Sequence, residues 1–388
     1  MSNQTIQQGV RATNIRYRML DLAAGMDDVI SLGRGDPDLH TPAVILKRAL
    51  ERARHPVPSH PIRGLPELRR AITHRYAQDR GFDPDPERCV LVTNGAQEAL
   101  FLTMMTLVNP GDVVAMPDPR YSSYDQAVGA AGGRLVPIPT GQNGDFELMA
   151  ADVQEHARDA KVLVFVNPNN PTSACVDRDG VREIAYAARE MGLIVVYDEI
   201  YGDLVYDGKP FQTMAACHGM QDTTVTIGGF SKTYAMTGFR VGYLIADPEF
   251  IESAAAFKSA VSGPCPLFSQ HAALAAVDSD TEVRPQMLEM YARRRDVMTS
   301  GLDAMGIPYG HPGGGVFVWA DLSVLGTETE ELCYRLLEET GVLIFPGRSF
   351  GERWRSWVRI SLLATEERIR EALDRMAPFV AKLESGRV

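Results

Sequence analysis

Residues 193–201 read LIVVYDEIY, a run of apolar and β-branched side chains that stops on a carboxylate, Asp198. A strand that is continuously apolar, rather than alternating, is buried on both faces and belongs to a parallel sheet covered by helices. The same texture recurs in CVLVT (89–93), DVVAM (112–116), KVLVFV (161–166) and TVTIG (224–228). Amphipathic segments such as LPELRRAITHRYA (65–77) and DGVREIAYAAREM (179–191) separate these runs. Residues 44–285 therefore predict one large α/β domain with a mostly parallel sheet. Beyond it, a long helical stretch that begins at Pro285, then GGGVFVWADL (313–322), SWVRISLL (356–363) and a last helix predict a smaller α+β unit. The expected division is 44–285 for the large domain, with 1–43 and 286–388 forming an arm and a small domain.

Composition narrows the partners. The 388 residues carry a formal charge of −11, which disfavours a nucleic-acid-binding face, although a local basic pocket remains compatible with it. No apolar run approaches a membrane span, and the polar start MSNQTIQQGV lacks the apolar core of a signal peptide. Cys89, Cys175, Cys217, Cys265 and Cys333 are isolated and show no metal-ligand spacing. They predict reduced thiols in a cytoplasmic protein without a metal site.

In open α/β sheets, ligands bind at the carboxyl ends of the strands. Asn94-Gly95, Asn167 with Asn170, Asp198, and Gly229 to Lys232 all follow predicted strands. TNGAQEAL (93–100) runs from a strand into a helix, whose first N–H groups make an anion site. An ordinary turn capped by Asn94 explains that segment equally well. Asp198 at a buried strand end is costly without a cation or hydrogen-bond donors, and its partner is either structural or a protonated ring nitrogen. GGFSKTYAMTGFRVGYL (228–244) sets Lys232 among glycines, beside Ser231 and ahead of Arg240. A primary amine, a phosphate cradle and an acid for a pyridinium are the protein groups that pyridoxal-phosphate chemistry requires.

At these residues the chain resembles the class I/II, fold-type I pyridoxal-phosphate (PLP) aminotransferases. SLGRGDPDLHTP, RGLPELRRAI, TNGAQEAL, PDPRYSSY, NPNNPT, YDEIYGDL, GGFSKTYAMTGFRVGY and WVRISL stand in that family's order over nearly the whole length. The resemblance implies the fold-type I transferase architecture, with a seven-stranded, mostly parallel sheet in the large domain. It implies that Lys232 bonds the cofactor aldehyde and shuttles the substrate proton, and that Asp198 pairs with the pyridine nitrogen. By the same resemblance Tyr201 and Asn170 bind the phenolic oxygen, and Tyr121 stacks on the ring. Ser231, Arg240 and the backbone of Gly95, Ala96 and Gln97 hold the phosphate. Arg359 clamps the substrate carboxylate, with Asn170 and the Gly35 backbone assisting.

Three positions depart from the family pattern. Ser173 stands where glycine is frequent, which predicts a local change in that turn. Ser59, with His60 beside it, replaces a tyrosine that reaches across a dimer. Gln97 replaces a lysine used by some aspartate-preferring members. The expected activity is ping-pong amino transfer between an L-amino acid and a 2-oxo acid by a homodimer. Gln97 and Tyr17 favour neutral or aromatic donors. The alternatives are β-elimination or decarboxylation on the same scaffold, or a PLP-binding regulator without catalysis.

Overall fold

A computed structural model describes residues 15–35, 38–54, 61–141, 145–326 and 328–385. A short strand, β1 (Ile30–Ser31), precedes the seven strands of a large sheet: β2 (Val90–Thr93), β3 (Val113–Asp118), β4 (Arg134–Pro139), β5 (Val162–Val166), β6 (Ile194–Asp198), β7 (Thr224–Gly229) and β8 (Gly242–Ile245). Their order is β2-β8-β7-β6-β5-β3-β4, and β8 alone among them runs antiparallel to its neighbours. The continuous apolar runs have the expected cause. Along β5, Val162, Val164 and Val166 enter one packed layer with Leu100 and Tyr124, while Leu163 and Phe165 enter the other with Val181 and Ile184. Each such buried side chain contributes about 1.5–3 kcal/mol, so neither face tolerates polar alternation.

Two strands of the large sheet escaped the sequence reading. β4 is an edge strand with Pro137 and Pro139, half exposed, so its apolar signal is weak. β8 is only four residues long and opens on glycine, although it lies between β2 and β7.

The remaining strands are β9 (Phe317–Asp321), β10 (Val342–Leu343), β11 (Phe345–Pro346) and β12 (Trp357–Ser361). β11, β12 and β9 form an antiparallel sheet, and β1 pairs in parallel with β10. Trp319 stacks on Trp357 with centroids 5.8 Å apart, and Trp354 meets both rings edge-on. Met19, from the helix Ile15–Ala24, is buried in the same core. The long helix begins at Asp280 rather than at Pro285, and Pro285 lies inside it. Asp280 and Glu282 in its first turn suit the positive end of the helix dipole, which accounts for the earlier start.

Candidate active site

A cavity of about 580 Å³ opens at the carboxyl edge of the large sheet and extends to β9 and β12. Its wall includes Gly35, Ala96, Gln97, Tyr121, Asn170, Asp198, Tyr201, Ser231, Lys232, Arg240 and Arg359. Gly95 stands immediately behind: a Cβ there would lie 2.6 Å from the Arg240 guanidinium. The pair Ser59 and His60 lies outside the described residues.

The first turn after β2 is shaped by close packing. Gly95, with φ of 81°, occupies the cap position of the helix Ala96–Leu107. Asn94 does not cap that helix. Its backbone N–H and side-chain amide both donate to Glu98, at 2.6 and 3.0 Å, and Glu98 is held by the buried Lys258 at 2.7 Å. The helix start is thus pinned from behind, and its first N–H groups have no partner within the helix. Gly242 on β8 packs directly against this turn, since a Cβ there would come within 2.7 Å of the Ala96 nitrogen. That contact explains one of the glycines crowding the lysine segment. Arg240 donates to the carbonyls of Thr237 at 3.2 Å and Asn94 at 3.4 Å, which directs its guanidinium to the same turn.

Lys232 follows β7, and its Nζ donates to the carbonyl of Gly35. Asp198, the last residue of β6, accepts from the Ile200 N–H at 3.1 Å and from the Tyr124 hydroxyl at 2.9 Å. Burial outweighs both bonds and pushes its carboxyl up to about 6. Residues after Asp198 form a turn rather than a helix, with Gly202 N–H donating to Glu199 and Leu204 N–H to Tyr201. Tyr201 reaches the cavity all the same. Its ring meets Phe317 edge-on at 6.0 Å, and burial holds its ionisation well above the ordinary range.

Arg359 on β12 is 3% exposed. It donates to Asn170 Oδ1 at 2.9 Å and to the Gly33 carbonyl at 2.8 Å, whereas Gly35 is engaged by Lys232. Its guanidinium lies over Phe317 at 4.1 Å, Phe350 at 4.6 Å and Phe345 at 5.7 Å. Its Nε finds no hydrogen-bond partner among the described residues. Burial, and then the nearby Arg16 cation, push the guanidinium down to about 9. A buried cation of this kind has an unfilled preference for an anion.

Sequence reading missed Tyr124, Gly33, Phe317 and Arg16. Tyr124 lies within the quoted PDPRYSSY but bonds Asp198 only because β3 and β6 share one sheet edge. Arg16 lines the cavity, donates to Ser122 at 2.8 Å and sits 5.6 Å from the Phe350 ring. Among the described residues no cluster of His, Cys, Asp and Glu is arranged to hold a metal, and no helix is long and apolar enough to cross a membrane.

The sequence and the fold have relatives among known proteins. Residues 27–376 match the family model described as aminotransferase class I and II. The chain is 35% identical to an aspartate aminotransferase of Pyrococcus abyssi and 33% identical to aromatic-amino-acid aminotransferase 2 of Thermococcus litoralis; each match covers 95% of both chains. It superposes on the aspartate aminotransferase of Thermus thermophilus with a TM-score of 0.89, at 30% identity, over 97% of this chain and 100% of that one.

Proposed function

This chain belongs to the class I and II aminotransferases and is an enzyme of that kind; from that premise we propose that it binds pyridoxal 5′-phosphate in the cavity around Lys232 and uses it to move an amino group from a neutral or aromatic L-amino acid to a 2-oxo acid. The observation that carries this reading is Asp198. It is a buried carboxylate held by an N–H and a phenol, with no ion pair among the described residues, in the same cavity as a lysine amine. A protonated ring nitrogen is the partner such a carboxylate lacks.

The residues suit the cofactor. The helix start at Gly95, Ala96 and Gln97, together with Ser231 and Arg240, forms a cradle for a phosphate. When bound, the cofactor supplies an aldehyde for the amino group and a ring that accepts electrons from the substrate Cα. Lys232 is the group that holds and moves the proton at its Nζ, and Asp198 keeps the ring nitrogen protonated. Tyr201 and Asn170 orient the phenolic oxygen, and Tyr121 covers a ring face. Arg359 clamps the substrate carboxylate, which satisfies its buried charge. The preference for neutral or aromatic donors draws support from Gln97 in the phosphate turn, from Tyr17 at the cavity wall, and from the name of the Thermococcus relative.

A cytoplasmic homodimer is part of the same proposal, supported by the exposed apolar Phe257, Val261 and Phe268. The division into 44–285 and 1–43 with 286–388 is retained in it, with the helix Asp280–Ala304 crossing the junction.

The test is the visible absorbance of the protein loaded with PLP, titrated with single amino acids and then with a 2-oxo acid. Bleaching that the oxo acid reverses supports amino transfer. A band that persists with every donor, or decays while ammonia or carbon dioxide appears, overturns it. Replacement of Lys232 by Ala is expected to lower kcat by at least about 10²–10⁴-fold while a phosphate-held cofactor is still retained.

A further inference from the structure

Ser173 closes the turn NPNNPT-S with a left-handed backbone, φ 58°, and is 0% exposed. Glycine takes that conformation without steric cost, whereas serine does not. A serine in such a place calls for something that only its hydroxyl supplies. Its Oγ accepts a hydrogen bond from the Phe317 N–H at 3.1 Å. Its carbonyl accepts from the Gly314 N–H at 3.1 Å, and its own N–H donates to Asn169 at 3.0 Å. The backbone bonds need no side chain; the bond to Phe317 does.

That bond joins two components of the Arg359 setting. On one side, Asn170 in the turn accepts from Arg359 at 2.9 Å. On the other, the Phe317 ring lies 4.1 Å from the same guanidinium, at the start of β9. We propose that Ser173 is a positioning residue for substrate carboxylate recognition: its hydroxyl fixes the Asn170 turn against Phe317 and thereby seats Arg359. Ser173 acts through these neighbours, and the inference rests on the reading of Arg359 as the carboxylate clamp. A misplaced binding group weakens substrate affinity even when the chemistry at the other end of the cavity is intact.

Two substitutions separate the hydroxyl from the backbone. Ser173→Gly removes the hydroxyl and relieves the left-handed strain; Ser173→Ala removes the hydroxyl and keeps the strain. Both are assayed as PLP-loaded enzyme for donor KM and kcat, alongside amide hydrogen exchange at Phe317 and the thermal midpoint. Both variants should raise donor KM by about 3–10-fold, as expected for one lost neutral hydrogen bond, with kcat nearly unchanged. Exchange at the Phe317 amide should quicken in both, while the Gly variant keeps the higher thermal midpoint of the two. An unchanged KM in the Gly variant overturns the proposal, and so does a rise confined to the Ala variant, which assigns the effect to strain. Arg359→Lys is measured in parallel. If it leaves donor KM unchanged, the clamp reading itself fails and takes this inference with it. If it raises KM while Ser173→Gly does not, only the inference fails.

Discussion

Asp198 and Asp203 follow the same strand, both lie largely out of solvent, and settle their charges in opposite ways. Asp203 sits among arginines, with Arg75 at 2.5 Å, Arg80 at 2.6 Å and Arg284 at 3.7 Å. These cations overcome the cost of burial and hold its carboxyl well below the usual range. Asp198 has a phenol and one N–H, and burial pushes it up to about 6. One acid is paired with cations by the fold, and the other has no ion pair among the described residues. Paired cations distinguish the two acids more sharply than burial does, since both lie largely out of solvent.

The largest expected effect that tests this contrast is at Asp203. Asp203→Asn leaves the Arg75 and Arg80 cluster short of a negative charge and should destabilise the protein by about 3–5 kcal/mol in chemical denaturation. A neutral outcome would remove the distinction between the two acids.

Asp198→Asn should act in the opposite direction when no cofactor is bound. The folded value of about 6 exceeds the ordinary 3.8, so the folded state binds the proton more tightly. Stability is then fully present below about pH 4 and declines as pH rises to about 6. At pH 7.5 the substitution should therefore stabilise the cofactor-free protein by about 3 kcal/mol, with the gain vanishing near pH 4. Destabilisation at pH 7.5 would show that Asp198 already has a compensating partner. The smallest effect is at Tyr124, whose hydroxyl holds Asp198 at 2.9 Å. Tyr124→Phe should cost the cofactor-free protein about 1.5 kcal/mol at pH 7.5 and less at pH 4, where the carboxyl is protonated.

The sequence made one half of the site more legible than the other. Lys232, Asp198, Asn170 and the Gly95 turn follow recognisable strands, and parallel strands end on one edge, so their meeting is a matter of topology. Arg359 had no such signal: VRIS reads as an ordinary strand, and its burial depends on Phe317, Phe345 and Phe350 from three other segments. Tyr124 and Gly33 were illegible for the same reason, because each acts on a residue far away in sequence. In the fold, the five apolar strands were readable because both faces are buried, whereas edge strand β4 is half exposed and β8, though buried throughout, opens on Gly242 within the glycine-rich lysine segment. Ser173 was flagged only as a departure, and its bond to Phe317 required the small sheet to be in place.

The position of β8 also bears on how the enzyme is made. β2 is the terminal strand of the sheet, and its only strand partner among the described residues is β8, with Thr93 opposite Gly242. During synthesis β2 must wait about 150 residues for that partner, a long-range closure that is slow to form. Until then its backbone is an open template for other chains, and the Gly95 turn at its end lacks the Gly242 wall. A nascent chain that has not reached residue 242 therefore carries an unpaired terminal strand that only later sequence can cover.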